Sequence, residues 1–581
     1  MEPAVPPGER AGGTTADSSD LPLSPRDRAA AWLASPFLPR ILPVLQFAVV
    51  AVSILSILQW LTAMGMRLTN PYPVEWLEGA FVAHSLRVLN GQPIYIAPSA
   101  EFIPNLYPPL AYWVQALAMR WIGPTLPAAR WVSVLATVGV AYLSAAIVYR
   151  KSRSRLAALA VAAIFLDAYA VCGGWYDQAR NDMIFLFLGL ASLLVVTGKP
   201  AIRRAILAAI LASMATWTRQ QGLAFLALGL VHLCMKARKE ALVFAVTAGA
   251  INIGGIYLAQ VVSDGWFLRY TWTTLGDYTL HYERMPIIFQ MFVANLSLLF
   301  VATLLWLVIN LRLRRFGSLL SVWGLGLGMF TLAAFVAMIK EGGYVNHFIP
   351  VVVFALLLIG MAIGDFAYER RHPRALAVAL AILIIQYIVW PHPSQALVSR
   401  SIRTSQRQVV EEIRSHDGPV LALDDPYYLR LAGKPMHADG GTIFWLSEMG
   451  LALPADLQEK VARQDYQAVL LSTPIDDGMH AHSESARKLY ELINEHYTFS
   501  RRIIPEDSSV VTLRMPRYLY LPRPIGYPGD PLAGCCLQHP TSEKLGSQAA
   551  GKPHVSSPAA LLAAREEGFP ASPLAAAGQT P

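Results

Sequence analysis

NPYPVEWLEGAFVAHSLRVLNGQPIY, Asn70 to Tyr95, is the stretch that decides how the chain is read. It follows an apolar run from Ile41 to Met66. As a helix that run would be about 39 Å long at 1.5 Å per residue, enough to cross a hydrocarbon core of about 30 Å. Glu75 and Glu78 therefore stand just outside the membrane at its first exit. Their i, i+3 spacing puts them on one face of a short helix, beside Trp76 and Phe81, which suit an interface. Two solvated loop charges are the plainer account of such a pair. The position of the other polar clusters decides between the two.

The composition points the same way. The chain has 581 residues, of which 54% are hydrophobic and 15% charged, with a mean hydropathy of +0.41. A soluble chain would carry charge on about a quarter of its residues, so this is a polytopic membrane protein. The net charge of +8 is no sign of nucleic acid, because the basic residues sit in short clusters between apolar runs. Cys172 and Cys234 lie in apolar segments and Cys535 and Cys536 are adjacent in the tail, which is no disulfide framework. The first 25 residues are polar. The first span is therefore expected to be an uncleaved anchor behind a cytoplasmic segment, 1–40.

After the opening loop, 67–125, which carries the acidic motif, apolar runs follow at 126–149, 155–175, 182–198, 203–217, 221–236, 240–262, 287–310, 317–339, 347–365 and 375–391. With the first run these make about eleven spans, the membrane domain being 41–391. Asn105–Gly123 is aromatic and amphipathic and is expected to lie in the outer interface as a helix. Basic clusters occur at Arg26/Arg28/Arg40, Arg150/Lys151/Arg153/Arg155, Lys199/Arg203/Arg204, Lys236/Arg238/Lys239, Arg312/Arg314/Arg315 and Arg370/Arg371/Arg374. Eleven spans put all of them on one side, which the positive-inside rule makes cytoplasmic. That count requires the short runs flanking Arg219 to form a hairpin, because one long span there would turn the later clusters outward.

Beyond Pro391 the composition shifts. Residues 392–521 read as a small outer (periplasmic) α/β domain, with a helix over Ser401–Arg414, strands at Pro419–Leu423 and Ala468–Leu471, and a hairpin over Phe499–Arg514. The tail, 522–581, is rich in Pro, Ala, Gly and Ser without periodicity and is expected to be disordered.

Under this topology the non-basic polar clusters share the outer face. They are Glu75/Glu78, WYDQARND from Trp175 to Asp182, TRQQ from Thr218 to Gln221, the loop Asp264–Arg284, and KEGGYVNH from Lys340 to His347. Ionisable residues at the ends of many spans are costly unless they face one another or a wet cavity. Asp182 also suits a helix cap, with Arg180 as its local partner. Arg219 inside a short hairpin needs an anion, and its fork matches a phosphate. A carboxylate acting as general base and arginines taking the charge of a leaving phosphate fit transfer from a lipid-linked phosphate.

At these residues the chain resembles the GT-C superfamily of membrane glycosyltransferases, in its bacterial branch like the dolichyl-phosphate-mannose-protein mannosyltransferases. The resemblance rests on EWLEG followed by NGQPIY, then NLYPPLAYW, ARND opening a span, GGYVNHFIP, and LRLAGKPMHAD from Leu429 to Asp439. It implies a bacterial inner-membrane enzyme with a periplasmic site. The donor would be a polyprenyl-phosphate sugar and the acceptor a lipid, glycan or protein. Glu78 matches the acidic position of the proposed base, while Arg180 and Asp182 match the second outer-loop motif and serve, with Arg219, as candidates for the donor phosphate. Tyr107, Asn346 and His347 are candidate substrate contacts, although Asn346 and His347 equally suit a helix cap. Many members have adjacent Asp-Glu, whereas here Leu77 precedes Glu78 and Glu75 lies one turn back. Both glutamates therefore remain candidate bases, with Glu78 favoured because Gly79 leaves backbone room beside it.

No cofactor is called for. A divalent cation stays open, with His84 beside the glutamates, although no ligand spacing supports one. Asp424 and Asp425 read as a turn after a strand. The contrasting class is a lipid or solute transporter or flippase. Such a protein is expected to show paired halves with interrupted spans and polar groups near the midplane, and the sequence shows no such repeat.

Overall fold

A computed structural model describes residues 38–277, 279–312, 314–340, 343–369, 373–475, 483–504 and 515–524. The segment 1–37, Arg370, Arg371 and the tail beyond 524 with Cys535 and Cys536 lie outside the described residues.

The apolar runs fold into helices. In chain order these are Leu38–Leu68, Leu126–Ser152, Arg155–Asp167, Asp182–Val196, Ile202–Thr218, Leu223–Lys236, Arg238–Val262, Met285–Arg312, Val322–Met338, Ile349–Glu369 and Pro373–Val389. Some of these starts are capped by side chains that fit the sequence: Thr125 and Ser154 each accept a hydrogen bond from the backbone three residues on. Among the described residues, four helical stretches are long and apolar enough to cross a membrane: Arg40–Leu68, Leu126–Ser152, Arg238–Val262 and Val345–Gly364. Tyr282–Ala294 and Leu298–Arg312, bent by 94°, add a fifth if they count as one span. Helix length and composition thus account for four or five crossings.

One detail differs from the sequence reading and one agrees with it. The run 155–175 is not one helix. It ends at Asp167 and continues through turns to Gly173 and Gly174, whose φ of 72° and 70° only glycine adopts readily. Around Arg219 the chain does reverse, through a single 3-10 turn at Gln220–Gly222. A side chain at Gly222 would run into the backbone of Ala215 and Thr216, so the turn is as tight as the chain allows.

Within the opening loop, Glu78–Leu89 and Leu110–Ile122 form short helices. The second buries Ala111, Tyr112, Gln115, Ala116 and Met119 and exposes Trp113, Leu117, Trp121 and Ile122. An apolar face of that kind, turned away from the protein, suits a helix lying in a membrane interface.

The described residues between 400 and 524 build a four-stranded sheet with helices against it. β1 (Val420–Ala422) pairs in parallel with β2 (Ala468–Leu471). β4 (Tyr518–Pro522) lies antiparallel between β2 and β3 (Tyr497–Arg502), giving the order β1-β2-β4-β3. β1 and β2 are buried along their length, which is why they are uninterrupted apolar runs. The expected hairpin is corrected in its second half: β3 returns through Tyr518–Pro522, beyond Arg514, and residues 505–514 lie outside the described residues. The unit sits directly on the opening loop. Gln406 Nε2 donates to the Pro73 carbonyl at 2.7 Å, and Tyr427 Oη accepts from Leu126 N at 3.0 Å. Trp445 packs on Trp76 with ring centroids 5.6 Å apart.

Candidate active site

The loop before the helix Glu78–Leu89 is folded around a buried guanidinium. Arg130, near the start of the helix Leu126–Ser152, donates to the carbonyls of Arg67 (3.2 Å), Asn70 (2.7 Å) and Tyr72 (2.8 Å). The same side chain holds Glu78 at two points, Nε to Oε1 at 2.9 Å and Nη2 to Oε2 at 2.7 Å. Glu78 also accepts from Val74 N at 2.8 Å and Ala179 N at 2.9 Å, so each oxygen has two donors. Burial pushes its carboxyl up, but Arg130 and the backbone donors outweigh this and hold it below the usual carboxylate value.

Glu75 is situated differently. Its Oε2 accepts from Leu77 N at 3.0 Å and from Arg180 Nη1 at 3.1 Å, while its Oε1 is buried without a hydrogen-bond partner. Burial raises its carboxyl to about 7; Arg180 opposes the shift and the nearby Glu78 charge adds to it.

From Glu75 the charges alternate. Arg180 Nε reaches Asp182 Oδ2 at 3.4 Å, and its Nη2 donates to Tyr107 Oη at 3.3 Å. Its guanidinium lies over the Trp175 ring, 4.5 Å from the centroid. Asp182 Oδ1 takes both Arg219 Nη1 and Asn346 Nδ2, the latter at 2.8 Å. Arg219 Nη2 and Gln221 Nε2 each stand 3.1 Å from His347 Nδ1. Arg180, Asp182 and Arg219 are all buried. A guanidinium has five N–H donors, so each arginine keeps some for a further anion.

The structure therefore brings Glu75, Arg180, Asp182, Arg219, Tyr107, Asn346 and His347 into one network, drawn from five separated segments. Asp182 is not a cap: Asn181 occupies that position without a side-chain cap bond, and the Asp182 carboxylate belongs to the arginines. Asn346 and His347 lie in a 3-10 turn, with their side chains turned to Asp182 and Arg219 rather than to a helix end.

His84 does not join the glutamates. Its Nδ1 donates to the Ala80 carbonyl at 2.7 Å and its Nε2 accepts from Asn105 N at 2.8 Å, so the ring is neutral and both nitrogens are engaged. Burial lowers its pKa to about 3. Among the described residues no group of three or more His, Cys, Asp or Glu is placed to hold a metal ion.

The outer unit adds a further carboxyl. Asp425 Oδ1 accepts from Tyr427 N at 3.0 Å, as a turn residue would, but Oδ2 has no hydrogen-bond partner. Burial, with Asp439, Glu78 and Glu75 nearby, raises this carboxyl well above the usual range. A second buried pair, Arg67 Nε to Asp177 Oδ2 at 2.6 Å, ties the end of the first helix to the loop carrying Arg180. Sequence reasoning passed over Arg130 and Arg67. The available signal was an arginine at the edge of an apolar run, Arg67 just past the end of the first and Arg130 just inside the start of the second.

No protein-family model matches the sequence, and no curated protein matches it. Solved structures do resemble it in fold. ArnT from Cupriavidus metallidurans bound to undecaprenyl phosphate aligns over 83% of this chain and 99% of its own, with 14% identity and a TM-score of 0.51. The same protein in the apo state aligns over 81% and 97%, again at 14% identity, with a TM-score of 0.50.

Proposed function

We propose, on the premise of the GT-C fold that this chain shares with ArnT, that it is a membrane glycosyltransferase using a polyprenyl-phosphate sugar. The observation that carries the proposal is the buried chain Glu75–Arg180–Asp182–Arg219, which ends in a carboxylate oxygen with no partner. The neighbour's undecaprenyl phosphate supplies a lipid phosphate of the right chemistry for the two guanidinium groups.

In the reaction, the acceptor hydroxyl gives its proton to Glu75 as its oxygen bonds to the anomeric carbon. The bond from that carbon to the phosphate oxygen breaks, and the lipid phosphate leaves with the electron pair. Arg180 and Arg219 take the charge of the leaving phosphate. Attack from the face opposite the phosphate inverts the anomeric centre. Glu75 suits the base better than Glu78, because a base needs a free lone pair and an affinity for protons near the working pH. Glu78 has neither and instead shapes the loop. This moves the base from Glu78, favoured from the sequence, to Glu75.

The eleven-span topology is part of the same proposal, with the network and residues 400–524 on the periplasmic side of a bacterial inner membrane. All the basic clusters then face the cytoplasm. The test is direct: purified protein is incubated with radiolabelled polyprenyl-phosphate sugars and a panel of lipid, glycan and protein acceptors. Release of free polyprenyl phosphate with label in an acceptor supports the reading. No release with any donor, alongside demonstrated lipid movement across vesicles, overturns it in favour of a transporter.

A further inference from the structure

A second buried polar cluster lies apart from the charge network. It sits where the helices Leu38–Leu68, Arg155–Asp167 and Pro373–Val389 pack together, towards their C-terminal ends. Gln59 Oε1, Trp60 Nε1, both oxygens of Asp167, both amide atoms of Gln386 and Trp390 Nε1 are buried without hydrogen-bond partners. His392 Nδ1 stands 3.7 Å from Asp167, beyond hydrogen-bond reach. Trp60, Asp167, Gln386 and Trp390 are each at most 3% exposed. Asp167 is also the last residue of its helix, where the helix dipole disfavours a carboxylate. Packing alone does not account for it, because each buried polar group without a partner carries a desolvation cost.

One helical turn nearer the N-termini, the same three helices line a narrow cleft. It is formed by Ser53 and Ser56, by Ala160, Ala163 and Ile164, and by Leu383. The spacing from Ser56 to Gln59 and Trp60, from Ile164 to Asp167, and from Leu383 to Gln386 is three or four residues. The unpartnered groups therefore stand on the same helix faces as the cleft and crown its end. On the outer surface Leu55, Leu58, Ile385 and Ile388 are exposed around it, as lipid-facing side chains are. Gln59 and His392 are only half-buried, so the cluster is reached from that side.

We propose that this cluster binds the uncharged, hydroxylated head of a membrane lipid, such as a glycolipid, with its hydrocarbon chain lying along the exposed Leu55, Leu58, Ile385 and Ile388. The unpartnered atoms are a near-even mixture of donors and acceptors. A hydroxyl satisfies both at once, as each is donor and acceptor. An anionic head would want a lysine or arginine, and no described residue of this cluster is one. Two indole N–H groups, two carboxamides and a carboxylate suit adjacent sugar hydroxyls, and the indoles add an apolar face. The site is independent of the proposed transferase reaction, since none of these residues belongs to the Glu75–Arg219 network.

The test uses the full-length protein in detergent and native mass spectrometry. Its probes are monoglucosyl diacylglycerol, phosphatidylethanolamine and phosphatidylcholine of matched acyl chains. The glycolipid is expected to be retained about tenfold better than either phospholipid. Gln386→Leu is expected to remove most of that preference. Trp390→Phe keeps the ring and loses one N–H, and is expected to weaken retention about threefold to tenfold with an unchanged unfolding temperature. If Gln386→Leu fails to fold, Trp390→Phe decides. Equal retention of the three lipids overturns the proposal. So does a glycolipid preference untouched in Trp390→Phe, which would leave the cluster merely hydrated. A preference for phosphatidylethanolamine that disappears in Asp167→Asn would assign the site to an ammonium group instead.

Discussion

Glu78 and Arg130 close a two-point ion pair, 2.9 and 2.7 Å, in which neither side chain is exposed to solvent. Glu78→Gln is therefore expected to act on folding. Breaking a buried pair from one side leaves an uncompensated charge and costs about 3–5 kcal/mol. The unfolding temperature in detergent should fall for Glu78→Gln and for Arg130→Met. The double substitution Glu78→Leu/Arg130→Met should cost less than the two single losses added together. It leaves no charge unpaired, although the backbone groups that both side chains held lose those partners. A Glu78→Gln protein of undiminished stability that has lost only transfer would restore Glu78 as the base.

Glu75→Gln should leave the fold intact and remove transfer. Loss of a general base lowers the rate by about 100- to 10,000-fold. Glutamine keeps the size of the side chain and still accepts from Leu77 N, so donor retention should change far less than turnover. Full activity in this variant would exclude Glu75 as the base.

The pH profile follows from the raised carboxyl of Glu75, at about 7. A base must be ionised to accept a proton, so turnover should climb as pH rises through that value and level off above it. The same shift bears on stability with the opposite sense. A carboxyl that holds its proton more tightly folded than unfolded stabilises the fold below its unfolded value, and that contribution declines as pH rises to about 7. Activity and stability should thus move in opposite directions between about pH 5 and 7. A flat rate across that window would argue against Glu75.

Arg180→Ala and Arg219→Ala should each weaken use of the phosphorylated donor. Removing one partner of a buried charge-assisted contact costs about 2–4 kcal/mol, roughly 30- to 1000-fold in rate. Asp182→Asn should impair both arginines at once, because one carboxylate orients both. Equal donor affinity and turnover in all three variants would remove the phosphate-binding role.

Gly79→Ala tests the seat of the outer unit. A methyl group there would meet the Asp425 carboxylate and the Tyr427 side chain, 3.1 Å away. Overpacking of this kind costs about 1–3 kcal/mol. The variant should expose the linker near Pro391 to limited proteolysis while the helical part stays folded. An unaltered digestion pattern would show that the contact is not needed for docking.

Much of this site could be read from the chain, for a physical reason. Ionisable residues are scarce in apolar sequence, so Glu75, Arg180, Asp182 and Arg219 stand out, and a common side follows once the spans are counted. The partner of each charge could not be read. Glu78 pairs with a residue 52 positions away on another helix, while Glu75, one turn earlier, reaches one 105 positions away. Local spacing treats the two glutamates alike; only tertiary packing tells them apart. The strands at Val420–Ala422 and Ala468–Leu471 were legible because both faces are buried and the runs are wholly apolar. The partner of Tyr497–Arg502 was not, because that strand is mostly exposed and its polar sequence fixes no register.

The carboxylate shared by Arg180 and Arg219 has a consequence for charge balance. With Glu75 ionised, the chain Glu75–Arg180–Asp182–Arg219 is neutral. On the proposed roles, the proton that Glu75 gains makes it cationic at the moment the departing phosphate becomes more anionic. Counter-charge would then arise inside the site without the entry of an ion from solution, where any uncompensated charge is strongly disfavoured.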